Sequence, residues 1–164
     1  MADVKTPEER SRNMAAIKGK DTKPEMIVRK YLFSRGLRFR VQVRKLPGTP
    51  DIVLPKYKTA IFVNGCFWHG HEGCKYFRLP KSNVEFWMEK IERNIERDRE
   101  SMRALLDLGW KVIRVWECEL RNKANREETL NKIYNSITSL DGSCYNFEEA
   151  DISMAAEPEE DYYR

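Results

Sequence analysis

LPGTPDIVLPKYKTAIFVNG, residues 46–65, decides the fold. A turn-rich Leu46-Pro-Gly-Thr-Pro stretch leads into the aliphatic run Asp51-Ile-Val-Leu54. Pro55-Lys-Tyr-Lys58 then reads as a turn, and Thr59-Ala-Ile-Phe-Val63 as a second strand. With the turn centred on 56–58, Leu54 or Pro55 pairs near Thr59 and Asp51 comes to lie beside Val63. Working outward, residues 37–43 (LRFRVQV) alternate apolar and polar, the period of a half-buried strand. Before them, Thr22-Lys-Pro-Glu25 has the form of a capping box opening a helix that Gly36 stops, with Met26, Ile27, Tyr31 and Leu32 expected inward. On the other side, Ser82-x-x-Glu85 reads as a second capping box, opening a long helix over about 83–108. Val84, Met88, Ile91, Ile95, Met102 and Leu105 form its stripe, and Asp98 stands in the missing step. Gly109 ends that helix, residues 110–116 (WKVIRVW) read as a strand, and a further helix is expected near 124–140. Helices and strands mixed in this order predict one α/β domain, with a central mixed sheet flanked by helices.

The chain's 164 residues suit one domain with appendages, and its formal charge of +4 conceals a strong asymmetry. Residues 10–45 carry twelve bases and two acids, whereas residues 148–164 carry one base and seven acids. A basic entry segment followed by a balanced body points to polyanionic partners. We therefore divide the chain into an N-terminal arm (1–20, a short helix over 6–19 with few large apolar residues), a body (21–147) and an acidic, flexible tail (148–164). No apolar run approaches the ~18 residues of a membrane span, and the start lacks a signal-peptide stretch. The expectation is a soluble cytoplasmic protein without membrane contact.

The chemistry-bearing residues cluster. Five of the six cysteines and histidines fall in Cys66-x-x-His69-x-His71-x-x-Cys74 and Cys118. Reduced intracellular thiols argue against disulfides. Cys66, His71, Cys74 and Cys118 fit a closed tetrahedral zinc site, structural because no coordination position is left open. Ordinary buried cysteines beside two loop histidines are the plainer reading. His69 is left as a spare imidazole and a candidate base. Asp51, at the head of its strand, could hold Mg²⁺ together with the Val63 carbonyl, or could simply satisfy turn amides. Glu25 is explained by its capping box. Asp98, an acid in an apolar stripe, needs a partner; His69 suits it, and Arg114 is the alternative. Phe67, Trp68 and Trp87 either cap the metal loop or could wedge between base pairs.

Taken together, Arg12-Asn13-Met14-x-x-Ile17, Thr22-x-Pro-Glu25, Leu46-Pro-Gly-x-Pro-Asp51-Ile52, Phe62-Val63-x-Gly-Cys66-Phe-Trp-His69-x-His71, Glu85-Phe-Trp87 and Gly109-Trp110-x-Val-x-x-Val-Trp-Glu-Cys118 resemble the very-short-patch-repair (Vsr) DNA mismatch endonucleases over roughly residues 10–122. The resemblance implies a restriction-endonuclease-like fold. It also implies an enzyme that nicks double-stranded DNA 5′ to the thymine of a T:G mismatch left by deaminated 5-methylcytosine. Such an enzyme would act as a monomer on the bacterial nucleoid, with mismatch-repair proteins as possible partners. By motif position, Asp51 is the metal-binding carboxylate and His69 the catalytic imidazole. Glu25 lies at the active site, Asp98 supports His69, and Cys66, His71, Cys74 and Cys118 bind zinc. Phe67, Trp68 and Trp87 insert beside the mismatch, while Arg12, Asn13, Met14 and Ile17 of the N-terminal helix clasp the duplex. The chain departs from the family in having Asn64 where histidine is frequent, and in spacing His71 and Cys74 by two residues. It also lacks the acid and lysine that restriction-enzyme relatives carry on the second hairpin strand.

Overall fold

The computed structural model describes residues 6–15 and 21–139, without the side chains of Arg10 and residues 13–15. Ile17, the side chains of Asn13 and Met14, the end of the body from 140 and the acidic tail lie outside the described residues. Helix α1 (Pro7–Ala15) carries Arg12 exposed.

Helix α2 (Lys23–Ser34) begins as its sequence dictates: the Thr22 side chain accepts from the Glu25 amide at 3.4 Å, and Pro24 occupies the first turn. The inward face is Glu25, Val28 and Leu32, with Ile27 and Tyr31 half-buried, whereas Met26 is 36% exposed. Met26 was expected inside. The stripe is rotated because Glu25 itself turns inward, and residues three and seven further on follow it.

The hairpin is built as its turn required. Strand β2 (Ile52–Leu54) pairs antiparallel with β3 (Thr59–Asn64), with Leu54 opposite Thr59 and Ile52 opposite Ile61. A short 3₁₀ turn over Pro55–Tyr57 and a left-handed Lys58 join them. The preceding strand β1 is only Arg40–Val41, paired with Val53 and Ile52. The alternation across 37–43 breaks at Gln42, whose φ of +49° ends the strand and leaves Val41 43% exposed.

Helix α3 (Val84–Asp107) crosses over to β4 (Lys111–Trp116), which runs parallel to β3, so the sheet order is β1-β2-β3-β4. Its N-cap is Asn83 in a left-handed conformation with no side-chain cap bond, in place of the expected Ser82 box. Asn adopts that conformation at low cost, and the helix starts one residue later than the box requires. Ile91, Met102 and Leu105 of the stripe are buried, while Val84 is 39% exposed. Beyond β4, the short helix α4 (Glu117–Arg121) was not foreseen, and α5 (Lys123–Thr138) matches the expected final helix.

The sheet separates two apolar clusters. Ile52, Leu54, Ile61, Val63, Ile113 and Val115 pack with α2, α4 and α5. Ala60, Phe62 and Val112 pack with Met102 and Leu105 of α3. A mixed sheet covered on both faces by helices is the architecture read from the sequence. No helix among the described residues is long and apolar enough to cross a membrane.

Candidate active site and metal centre

The hairpin delivers Asp51 to the edge of a cavity of about 740 Å³ that is also lined by Glu25, Gln42, Val63, His69 and Asp98. One carboxylate oxygen of Asp51 accepts from the Val63 amide at 2.8 Å and the other from Gln42 Nε2 at 3.2 Å. Asp51 and Val63 are thus neighbours, as the turn arithmetic required. Glu25 is 2% exposed, and its Oε2 accepts three bonds: from the Asp21 amide at 3.1 Å, Arg29 Nη2 at 2.8 Å and Gln42 Nε2 at 3.4 Å. The return arm of the capping box therefore reaches Asp21 rather than Thr22. Glu25 both closes the helix start and faces the cavity.

Burial dominates the electrostatics of this acid pair. It pushes Glu25 up to about 7, with the nearby Asp51 charge adding to the effect and Arg29 opposing it. Asp51 is also raised by burial, against the pull of the Val63 amide and Gln42. Two carboxyls this close retain a proton unless a cation is present to take its place.

Across the cavity, His69 Nδ1 meets Asp98 Oδ2 at 2.6 Å, so Asp98 takes the histidine as its partner. Bonding at Nδ1 leaves Nε2 as the nitrogen free to handle a proton. The loop carrying His69 is wound on itself: the His69 amide donates to the Gly65 carbonyl at 3.2 Å and the His71 amide to the Cys66 carbonyl at 2.9 Å. Gly70, at φ +61°, lies so close to α3 that a Cβ there would stand 2.6 Å from Ile95 Cδ1 and 2.9 Å from Ile91 Cγ2.

The same loop gathers Cys66, His71, Cys74 and, from α4, Cys118, with their donor atoms all within 4.8 Å of one another. His71 Nδ1 and Cys118 Sγ are 3.5 Å apart. Bonds of about 2.0 Å to nitrogen and 2.3 Å to sulfur at a tetrahedral angle give an edge of roughly 3.5 Å, so the donor set fits an ion. Burial, with Cys66 and Cys74 alongside, raises the Cys118 thiol to about 12, a proton that a bound metal would displace. Trp116 stacks on the His71 ring at 4.0 Å and 5°, fixing its plane. Gly73, between His71 and Cys74, is left-handed at φ +73° and faces open space.

Phe67, Trp68 and Trp87 form one edge-to-face cluster with ring separations of 5.1, 5.5 and 5.8 Å. It joins the metal loop to the first turn of α3, and Asn94 Nδ2 ties the Trp68 carbonyl to the helix at 2.9 Å. Phe86 continues the cluster outward, 57% exposed and 5.3 Å from Trp87.

With this geometry in view, the comparisons with known proteins are direct. Residues 2–75 match the family model described as DNA mismatch endonuclease Vsr. The chain is 49% identical to the DNA mismatch endonuclease Vsr of Escherichia coli K12 over 123 residues, covering 75% of this chain and 78% of that one. The chain belongs to the Vsr DNA mismatch endonuclease family. Two further relatives extend the match. One is the type II nicking enzyme V.NmeAIP of Neisseria meningitidis, 50% identical over 137 residues, or 84% of this chain and 97% of the relative. The other is the type II nicking enzyme V.XorIIP of Xanthomonas oryzae, 47% identical over 133 residues, or 81% and 97%.

Several residues of this Vsr-family site went unnoticed in the sequence. Lys90, Asn94 and Asp98 are four apart and form one row on α3; Lys90 lines the cavity and lies 5.8 Å over the Trp68 ring. That spacing was readable, as was Arg29 four residues after Glu25. Glu117, which also lines the cavity, stands inside the Trp-Glu-Cys118 motif but has no such spacing to mark it. Asn64 is 3% exposed, and its Nδ2 is buried without a hydrogen-bond partner among the described residues.

Proposed function

We propose that this protein is a Mg²⁺-dependent endonuclease that nicks one strand of duplex DNA 5′ to the thymine of a T:G mismatch, the product of 5-methylcytosine deamination. The observation that carries the chemistry is the acid pair Asp51–Glu25 facing the His69–Asp98 pair across one cavity. The names of the relatives, a mismatch endonuclease and nicking enzymes, favour a single-strand cut in mismatched DNA.

Asp51 and the Val63 carbonyl would hold Mg²⁺, with Glu25 beside them. The ion would neutralise charge on the scissile phosphate and acidify water. His69 Nε2 takes the proton from the attacking water as its oxygen bonds to phosphorus and the bond to the leaving oxygen breaks. Asp98 holds the ring in position and balances the charge it acquires. Asn64 cannot transfer a proton, so the leaving oxygen receives its proton from solvent. Zn²⁺ in the Cys66–His71–Cys74–Cys118 cluster would be structural, pinning the loop that carries His69 and the wedge. Phe67, Trp68 and Trp87 would part the stack at the mismatch, with the N-terminal arm gripping the opposite side of the duplex.

The test is a panel of end-labelled duplexes differing only in one base pair and its flanks, assayed with and without Mg²⁺ using zinc-loaded protein. One nick at the T:G duplex, absent without Mg²⁺ and absent in Asp51→Ala and His69→Ala, is the expected result. Equal cutting of matched DNA would turn the reading towards a same-fold endonuclease acting on intact sites. Tight binding with no Mg²⁺-dependent nick would turn it towards a non-catalytic DNA-binding module.

A further inference from the structure

We infer that Gln42 is the positioning residue of the divalent-cation site, holding the Asp51 and Glu25 carboxylates in register through a single side-chain amide. The inference rests on the reading that these acids hold the cation.

Four observations converge on Gln42. It is one of five non-glycine residues with positive φ among the described residues, at +49°, a conformation unfavourable for a residue with a long side chain. That conformation ends β1 after two residues and leaves Val41 43% exposed, so local regularity and apolar burial are both sacrificed to turn this side chain inward. The backbone is nevertheless anchored, since the Gln42 amide donates to the Asp51 carbonyl at 3.2 Å. Lastly, Nε2 lies 3.2 Å from Asp51 Oδ1 and 3.4 Å from Glu25 Oε2, so its two hydrogens serve the two acids separately.

The chemistry explains why an amide stands here. Its two N–H groups reduce repulsion between adjacent carboxylates without cancelling their charge. An ammonium group in the same place would neutralise one acid and compete with a metal. A third carboxylate would add repulsion and offer no donor. The second hairpin strand, Ile61-Phe-Val-Asn64, carries no lysine that could orient the acids instead. Gln42 would therefore set how tightly the cation is held, and would leave the proton transfer at His69 untouched.

Mn²⁺ binding to zinc-loaded full-length protein, followed by electron paramagnetic resonance, tests this apart from activity. Gln42→Met keeps the length and removes both donors. Gln42→Asn keeps an amide and tolerates the left-handed backbone, but falls short of both acids. The expected result is Mn²⁺ binding in wild type, loss in Asp51→Ala, and about tenfold weaker binding in both Gln42 variants. Nicking at saturating Mg²⁺ should then recover to within about threefold of wild type. Wild-type Mn²⁺ affinity in the Gln42 variants, with Asp51→Ala binding none, overturns the role of Gln42 and leaves the metal site standing. A nicking defect that saturating Mg²⁺ does not restore overturns it as well. Undiminished Mn²⁺ binding in Asp51→Ala refutes the metal-site reading, and the role of Gln42 with it. Should Gln42→Met fail to fold, Gln42→Asn decides by the same outcomes.

Discussion

Gly70→Ala and Gly73→Ala together measure how firmly the metal loop is seated on α3. Both glycines are left-handed, with φ of +61° and +73°, so an alanine at either costs about 1–2 kcal/mol in backbone strain. They differ in their surroundings. A Cβ at Gly73 meets nothing within 4 Å, whereas at Gly70 it stands 2.6 Å from Ile95 Cδ1 and 2.9 Å from Ile91 Cγ2. The Ile95 terminal methyl can rotate away, but Ile91 is 3% exposed and its Cγ2 is fixed by χ1 in a packed interface. Overpacking of this kind adds about 1–3 kcal/mol. With each kcal/mol worth roughly 2–4 °C at this chain length, Gly73→Ala should lower the melting temperature by about 2–8 °C and Gly70→Ala by about 4–20 °C. Gly70 lies between His69 and His71, so relief of the clash moves the His69 ring off Asp98. Misplacement by about 1 Å is enough to cost on the order of a hundredfold in rate. Thermal denaturation and single-turnover nicking, both on metal-loaded protein, read the two effects. Equal melting shifts and equal nicking rates for the two variants would refute the idea that close seating on α3 positions His69.

Other consequences follow from the same geometry. Glu25 is raised from 4.5 to about 7, so protein without Mg²⁺ should hold its full Glu25 contribution below pH 4.5 and lose it as pH rises through 7. Allowing for solvent screening, the loss is on the order of 2 kcal/mol. Glu25→Gln mimics the protonated acid and should flatten that slope in denaturant titrations run across this range; an unchanged slope counts against the shared proton. Asp98→Asn should slow nicking about 10–100-fold while mismatched-duplex binding stays within about twofold; an undiminished rate would mean that His69 is oriented otherwise. Cys118→Ser should release zinc on dialysis, as read by elemental analysis, and cost on the order of 3 kcal/mol or more in stability. Full retention of zinc would show that Cys118 is not a ligand.

The parts of the site legible in the sequence were those held by short-range geometry. A turn over 56–58 left one antiparallel register that keeps both strands apolar, and that register brings Asp51 to Val63. Asp98 announced itself as an acid inside an apolar stripe, and the structure pairs it with His69 at 2.6 Å. Three ligands at loop spacing and Cys118 after strand β4 converge as a tetrahedral site demands. What escaped was decided by tertiary context overriding local pattern. Gln42 looked like the outward polar residue of an alternating strand, until a positive φ turned it into the cavity. Met26, expected inward, is exposed and Val28 is buried because the α2 stripe is rotated to bring Glu25 inward. The Ser82 box was displaced by a left-handed Asn83, a conformation that periodicity does not encode.

The most direct measurement is single-turnover cleavage of a T:G duplex and its matched counterpart by wild type and Asp51→Ala, each with Mg²⁺ and zinc-loaded. The account expects wild type to make one nick 5′ to the mismatched thymine and to leave the matched duplex essentially intact. Asp51→Ala should be at least about a hundredfold slower, the equivalent of losing roughly 3 kcal/mol of metal-borne stabilisation. Nicking by Asp51→Ala at the wild-type rate would contradict the active site described above, and equal cutting of both duplexes would contradict its substrate.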